Sequence, residues 1–417
     1  MDKSYLELIS SEAFRAVLKG FPPLPAETVP LAGAHGRFLV EGLAAPEDLP
    51  AFPRSSMDGY AVRAADIFGA TETNPSYLEM AGTLSITAQS PAPLSPGSCM
   101  ELVTGSCLPP GADAVVMVEH TQDLGGGAIE IRKAVAPGEN MMLAGEDARA
   151  GSEILPAGAL VRPAEVGLLA ALGIREVRAG KRPVAAILST GDELLPASAP
   201  ELSPGRIRDA NAPALAALCA QWGAEALPLG IVKDDAAAIA AALEQALAQA
   251  DTVFLSGGSS VGVRDLTVEA LARLPQTDIL VHGLAVSPGK PTILARSQGK
   301  AVWGLPGQVA SAQVVMFMFG CPFLALLAGD RSAFTRERPR LSARLSRNVA
   351  SRQGREDFVR VRLEPAAQDE GDGLPLAVPV LGKSGLLKTL LQAQGLVAIA
   401  AGLEGMEAGS TVQVILL

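Results

Sequence analysis

Cysteine, histidine and positive charge are all in short supply in this chain, and each shortage narrows what it does. The four cysteines, Cys99, Cys107, Cys219 and Cys321, form no CxxC pair and no metal-ligand spacing. They read as small buried hydrophobes in a reducing compartment. His35, His120 and His282 have no partner in sequence, so a zinc site has no support. Lysine and arginine number 34 against 44 acids, a net charge of -10, which argues against nonspecific binding to nucleic acid or to an acidic membrane surface. A phosphorylated small molecule stays compatible, because backbone N–H groups and one or two lysines suffice locally. No Walker A pattern occurs, so the P-loop class has no support. The opening MDKSYLELIS has no uninterrupted apolar core, so no signal peptide is expected and the chain is expected in the cytoplasm. One run, Val309–Ala328, is apolar enough to resemble a membrane span. Ser311, Gln313 and Pro322 predict instead a helix buried in the protein or at a subunit contact.

What is present is globular: 417 residues, 48% apolar and 19% charged, enough for about two to four domains with ample core. Residues 4–19 carry apolar positions at helical spacing, stopped by Lys19-Gly20. The proline-rich stretch Ala45–Pro53 must be extended or turning. From Tyr77 to Ile131, short strands with Pro and Gly at their corners (LEMAG, SITAQ, SCMELVTG, DAVVMVEH, AIEIRK) describe a β-rich module. After Pro183, strands alternate with helices. VAAILS leads to a helix from about Pro213 with Asp209 or Asn211 as its cap, AEALPLGIV follows, and Asp234-Asp235 caps an alanine-rich helix. That rhythm predicts a doubly wound, largely parallel α/β sheet. From Leu341 onward short strands and one small helix form a separate β-rich domain, reached through the charged linker DRSAFTRERPR.

Three loops at strand ends of the α/β region concentrate chemistry. Thr252–Leu255 runs into Ser256-Gly257-Gly258-Ser259-Ser260, then Gly262 and Asp265. Adjacent glycines let successive N–H groups cradle an anion, and the following helix N-terminus adds to that field. Ser189-Thr190-Gly191-Asp192-Glu193 supplies hydroxyls and two carboxylates, and Ser287-Pro288-Gly289-Lys290-Pro291 holds a lysine between prolines. On one sheet edge, carboxylates, an anion nest and a lysine make a Mg²⁺-phosphate site. Taken singly, each acid fits a helix cap or a solvated turn equally well.

Eight ordered motifs then become recognisable: Ser56–Ala61, Val103–Gly105, Gly111–Val116, Gly145–Asp147, Ser189–Leu194, Ser256–Gly262, Pro288–Pro291 and Gly304–Gly307. Over nearly its whole length the chain resembles the MoeA family of molybdopterin molybdenumtransferases, which includes the E-domain of gephyrin. The resemblance implies an elongated homodimer with an inter-subunit active site and four domains per subunit. These are an N-terminal lid module (1–26 and 46–147), a linker-like β module (27–45 and 148–178), a MogA-like α/β domain that binds molybdopterin (179–330) and a C-terminal β-rich domain (336–417). It implies insertion of molybdate into adenylylated molybdopterin, with Mg²⁺ and release of AMP. Asp192, Glu193 and Asp265 would face the metal, and Asp58, Thr104 and Asp147 would reach in from the partner subunit. Thr190, Gly191, Gly257, Gly258, Ser259, Ser260 and Gly262 would hold the phosphate side and Lys290 the oxyanion. Pro306, Gly307, Ser311, Arg360 and Ser384 would add oxyanion or substrate contacts. The molybdopterin adenylyltransferase and molybdoenzyme-maturation proteins are the partners it implies.

The chain departs from the family pattern at Ser287, where a lysine is usual, at Gln308-Val309-Ala310, at Ser259 and at Arg208-Asp209-Ala210-Asn211. Arg206 or Arg208 is a candidate to restore the charge lost at Ser287. These departures keep open a pterin-binding or scaffold paralogue without catalysis and a tungstate-selective variant, and the α/β domain alone, which resembles the adenylyltransferase family's fold, also fits an enzyme that makes the adenylate itself. The extra N- and C-terminal modules speak against the last.

Overall fold

The computed structural model describes residues 7–87, 92–257, 261–366, 373–383 and 385–417, side chains of 261–265 excepted. Its centre is a six-stranded sheet, whose strands and helices alone are numbered here: β1 (Val184–Thr190), α1 (Asn211–Gln221), β2 (Glu225–Val232), α2 (Ala236–Gln249), β3 (Thr252–Gly257), α3 (Val261–Arg273), β4 (Thr277–His282), β5 (Ile293–Ser297) and β6 (Lys300–Pro306). The strand order is β2-β1-β3-β6-β5-β4. The first four run parallel, and at one side β5 pairs antiparallel with both β6 and β4. Both faces are covered, which is why the parallel strands read as unbroken apolar runs. Ala185, Ile187, Phe254, Trp303 and Leu305 face α1 and the helix Val309–Leu327. Ala186, Leu188, Val253, Leu255 and Val302 face α2 and α3.

The apolar run expected to be a buried helix is one: the window that gives it a membrane-like hydropathy is 78% buried. Its middle, Met316–Gly320, is π-helical, and the Cys321 N–H donates to the Met316 carbonyl. Pro322 has no N–H and its ring crowds the carbonyl four residues back. The wider π turn takes up that mismatch at the start of Cys321–Leu327 without breaking the helix.

The helix Ser11–Lys19 forms under a Ser10 cap. Sequence grouping puts it with the N-terminal lid. Its buried side chains lie instead in the central core, Phe14 edge-on to Trp303 at 5.5 Å and to Phe319 at 5.2 Å. Spacing shows that one helix face is apolar; only the fold shows what it meets.

The N-terminal β module is a six-stranded sheet, Ala114–Met117, Gly59–Val62, Ser98–Leu102, Ser76–Thr83, Ala128–Ile131 and Thr121–Asp123 in that order. Of the SITAQ stretch expected as a strand, Ser85–Thr87 is not one and the remainder lies outside the described residues. Between this module and the centre, Ala26–Pro30 pairs with Glu176–Gly180 and Leu43–Ala44 with Glu153–Leu155, around a core of Val29, Leu39, Val161, Leu169 and Val177. In the C-terminal domain, Glu356–Glu364 pairs on one side with Leu376–Pro379 and on the other with Gly395–Ile399, so the sheet closes on itself and hides its edges. Val286–Ser287 of the central domain adds to the same strand at Glu356–Asp357.

Phe14→Ala is expected to destabilise the chain by about 3–5 kcal/mol, because a fully buried ring is lost from the central core. Equilibrium unfolding of the full chain in urea measures it; a loss confined to the N-terminal module would contradict the packing described.

Candidate functional site

The four parallel strands of the central sheet stop level with one another. Val232 of β2 lies opposite Thr190 of β1, Thr190 opposite Gly257 of β3, and Gly257 opposite Pro306 of β6. The loops that follow therefore leave the sheet side by side, at the carboxyl edge where open α/β sheets bind ligands. The contact is close. A Cβ on Gly257 would sit 2.2 Å from Thr190 Cγ2 and 2.4 Å from its carbonyl oxygen. Beneath the edge, the Ser189 and Ser256 hydroxyls meet at 3.2 Å, which satisfies both buried groups.

Above Thr190 the carboxylates gather. The Thr190 hydroxyl donates to Asp234 Oδ1 at 2.7 Å. The Asp192 N–H donates to Asp234 Oδ2 and the Asp234 N–H to Asp192 Oδ1, each at 3.4 Å. Sequence reading gives Asp234 and Asp235 one capping role. The structure divides them: Asp235 caps α2 by accepting from the Ala238 N–H at 2.8 Å, and Asp234 turns back onto Thr190 and the Asp192 loop. A spare acid beside a capping acid was the only signal for it in the sequence. Arg206 donates to the Asp192 carbonyl. Asp192, Arg206 and Lys233 line an open cleft of about 480 Å³. Glu193 is exposed at its rim, its carboxylate over Gly191, where a Cβ would come within 2.8 Å of it.

The other predicted residues fall in three places. Pro306 is buried at the strand edge, and the Gly307 carbonyl accepts from Asn211 Nδ2 at 2.9 Å. Asp209, not Asn211, caps α1, accepting from the Asn211 and Ala212 N–H groups. Ser311 is buried in the first turn of the helix Val309–Leu327. Lys290 is exposed, and its ammonium makes no ion pair among the described residues. Its loop is anchored by the Thr292 hydroxyl donating to the Gly289 carbonyl at 2.7 Å. Arg360 lies within the C-terminal domain, donating to Thr389 and to the Gly382 carbonyl. Burial lowers its pKa, and both bonds hold the guanidinium in place. Gly262 is in the first turn of α3; Gly258, Ser259, Ser260, Ser384 and the side chain of Asp265 lie outside the described residues.

Asp58, Thr104 and Asp147 stand apart, on the N-terminal modules. Asp58 Oδ1 accepts from both the N–H and the hydroxyl of Thr104, at 2.7 and 2.8 Å. These bonds hold the Asp58 carboxyl below the usual range although it is exposed. Asp147 is exposed, its N–H donating to the Leu49 carbonyl. Among the described residues none of the three is hydrogen-bonded to the central cleft. No group of three or more His, Cys, Asp or Glu side chains is poised around a metal among the described residues.

Three family descriptions cover the chain: the MoeA N-terminal region (domain I and II) over residues 9–173, the "Probable molybdopterin binding domain" over 186–326 and the MoeA C-terminal region (domain IV) over 342–417. The chain is 34% identical to a molybdopterin molybdenumtransferase of Bacillus subtilis over 412 residues, covering 97% of this chain and 93% of that one. It belongs to the MoeA family. A Mycobacterium tuberculosis relative, molybdopterin molybdenumtransferase 2, is 34% identical over 93% of this chain and 94% of its own length. The crystal structure of the molybdopterin biosynthesis MoeA protein from Pyrococcus horikoshii superposes with a TM-score of 0.79 at 34% identity, over 98% of this chain and 99% of that one. A second structure of the same name and source gives 0.82 at 29% identity, over 99% and 100%.

Two departures from the MoeA pattern now have a place. Ser287, where the family usually has lysine, is half-buried and paired with Asp357. Of its two candidate substitutes, Arg208 is anchored to the Ala199 and Pro200 carbonyls, whereas Arg206 lines the cleft.

Gly257→Ala is expected to push β1 and β3 apart at the site and cost about 1–3 kcal/mol, read by denaturant unfolding. The Asp58 carboxyl is expected to titrate below an ordinary aspartate in a carboxyl-carbon NMR titration, and Thr104→Val is expected to move that midpoint up. Because the folded pKa is the lower one, the stability from this pair is present above the unfolded value and lost as pH falls through the folded one. An unchanged midpoint in the variant would assign the shift elsewhere.

Proposed function

We propose that this chain is a molybdopterin molybdenumtransferase, taking adenylylated molybdopterin and molybdate and releasing AMP as the metal enters the dithiolene. The observation that carries the reading is its near full-length similarity to curated enzymes of that name, joined to four parallel strands that end in one row with Asp192, Lys233 and Asp234 on the loops beyond. The Gly257 edge and the α3 N-terminus bind the phosphate side of the adenylate. Lys290 supplies a mobile positive charge for molybdate, with Ser311 and Arg360 as further contacts, and Arg206 offsets the lysine missing at Ser287. Thr190 orients Asp234, and the two N–H bonds between Asp192 and Asp234 fix both loops relative to each other.

The donor set fits Mg²⁺ as a shared ligand. The Asp192 carboxylate lines the cleft with Asp234 hydrogen-bonded beside it, without a ready-made protein cage among the described residues, and Mg²⁺ commonly takes one or two carboxylates plus substrate phosphates. Asp192, Glu193 and Asp265 would hold it. When bound it offsets the charge that develops as the phosphoanhydride breaks.

The cleft works between two copies. Asp58, Thr104 and Asp147 sit on exposed faces of the N-terminal modules and serve the partner's central domain, in a cytoplasmic homodimer fed by an adenylyltransferase. In this reading, Asp58→Ala and Glu193→Ala each abolish AMP release, yet subunits exchanged between the two variants recover activity. A mixed dimer keeps one site with neither change. No recovery, in a sample shown to contain mixed dimers, would place both residues in the same subunit's site. A chain that binds the adenylate without turning it over would favour the scaffold reading that the Ser287 and Gln308–Ala310 departures raise.

A further inference from the structure

A second cavity of about 290 Å³ lies away from the strand-end cleft, where the helix Ser11–Lys19, the interdomain linker and the C-terminal domain meet. Its walls carry three arginines, Arg15, Arg338 and Arg340, that make no ion pair among the described residues. A fourth, Arg336, is already paired with Asp330 at 3.2 Å. Arg338 is stacked between Phe317 at 4.3 Å and Trp222 at 5.5 Å, and one of its terminal nitrogens donates to the Phe317 carbonyl. Its other terminal nitrogen is buried with no hydrogen-bond partner. Arg15 is stacked on Phe319 at 5.2 Å, which leaves its N–H edge free. Burial lowers the Arg338 pKa to about 10, so it keeps its charge at neutral pH, and nearby Arg15 acts in the same direction. On the same cavity Glu356 presents a buried carboxylate oxygen that also lacks a partner.

Buried donors and acceptors are rarely left unpaired, and here two of opposite kind line one space. A bare oxyanion would answer the arginines and leave Glu356 unsatisfied. A neutral apolar molecule would answer neither. The cavity asks for a ligand with an anionic end, a hydroxyl or amine donor, and a body able to pack on the rings of Phe334 and Phe358. Its volume is at the lower end of small-molecule pockets, which admits a mononucleotide and not a dinucleotide.

We propose that this cavity binds a nucleoside monophosphate, its phosphate on Arg15, Arg338 and Arg340, a ribose hydroxyl donating to Glu356, and its base against Phe334 and Phe358. The walls come from both the central and C-terminal domains, so occupancy favours their docked arrangement. Glu356 stands in the strand that pairs with Val286–Ser287, four residues before Arg360, so the ligand braces the segment leading to Lys290.

Hydrogen exchange on the full chain, with and without AMP, separates this site from the strand-end cleft because the two lie on different peptides. AMP is expected to protect peptides covering 333–340 and 354–358. Arg15→Met and Glu356→Gln, neither assigned to the strand-end cleft, are each expected to weaken that protection about tenfold or more in AMP concentration while leaving any protection of the strand-end loops unchanged. Arg338 is not the variant of choice, since its bond to Phe317 also holds the fold. No protection of these peptides by AMP, or protection indifferent to both substitutions, overturns the proposal. Equal protection by inorganic phosphate overturns the nucleoside part, because Glu356 would then have no role.

Discussion

Everything at the strand-end cleft depends on the level ending of four parallel strands. Parallel hydrogen bonding fixes Val232, Thr190, Gly257 and Pro306 in one row, so no loop can advance or retreat by a residue without turning its neighbour's side chains to the wrong face. Gly257 is the tightest point in that row. It has no room for a side chain, and the absence lets the backbone of β3 come against Thr190. Thr190 in turn spends its hydroxyl on Asp234, and Asp234 binds the loop that carries Asp192. A backbone register thus becomes the spacing of a set of carboxylates.

The surrounding domains are tied to this row through few, specific joints. Asn211 links the start of α1 to the Gly307 carbonyl, immediately after β6. The parallel pairing of Val286–Ser287 with Glu356–Asp357 carries the C-terminal barrel to the foot of the Lys290 loop. On the opposite side, the Cα of Gly180 lies against the end of the helix Val309–Leu327, where a Cβ would meet the Ala328 carbonyl at 1.9 Å. Each joint uses backbone or a short side chain, which transmits position with little slack. Among the described residues the N-terminal module meets the central cleft through no such joint.

The central fold was largely legible in the sequence because alternation of apolar runs and alanine-rich helices is a periodic signal, and the carboxyl ends of those runs mark the cleft. The loops at Thr190 and Gly257 follow from that alone, whereas Ser287–Pro291, expected on the same sheet edge, follows a short strand paired with the C-terminal domain. What was not legible is what each element touches. Ser11–Lys19 shows an apolar face, but Phe14 alone does not say that its neighbours are Trp303 and Phe319. Asp234 and Asp235 are chemically identical adjacent acids, and only the entry angle into α2 decides which of them caps. Arg206 and Arg208 differ by their carbonyl partners, which no spacing rule encodes.

Charge explains why the cleft combines groups that would otherwise repel its substrate. A phosphorylated molecule brought beside Asp192, Glu193 and Asp234 meets like charge on a chain whose net charge is already -10. Lys233 and Arg206 are on the same wall, yet Arg206 is engaged by the Asp192 carbonyl and Lys233 is exposed. Two carboxylates linked through each other's N–H groups are poorly neutralised by one lysine, and in the proposed reaction a hard divalent cation shared with the substrate would answer that charge. The serine at position 287 sharpens the same point. In the proposed reaction, the cations left for an oxyanion are Lys290, which makes no ion pair among the described residues, and Arg206. The Val286–Ser287 pairing to the C-terminal domain fixes where the Lys290 loop starts, so the position of that charge depends on how the two domains dock.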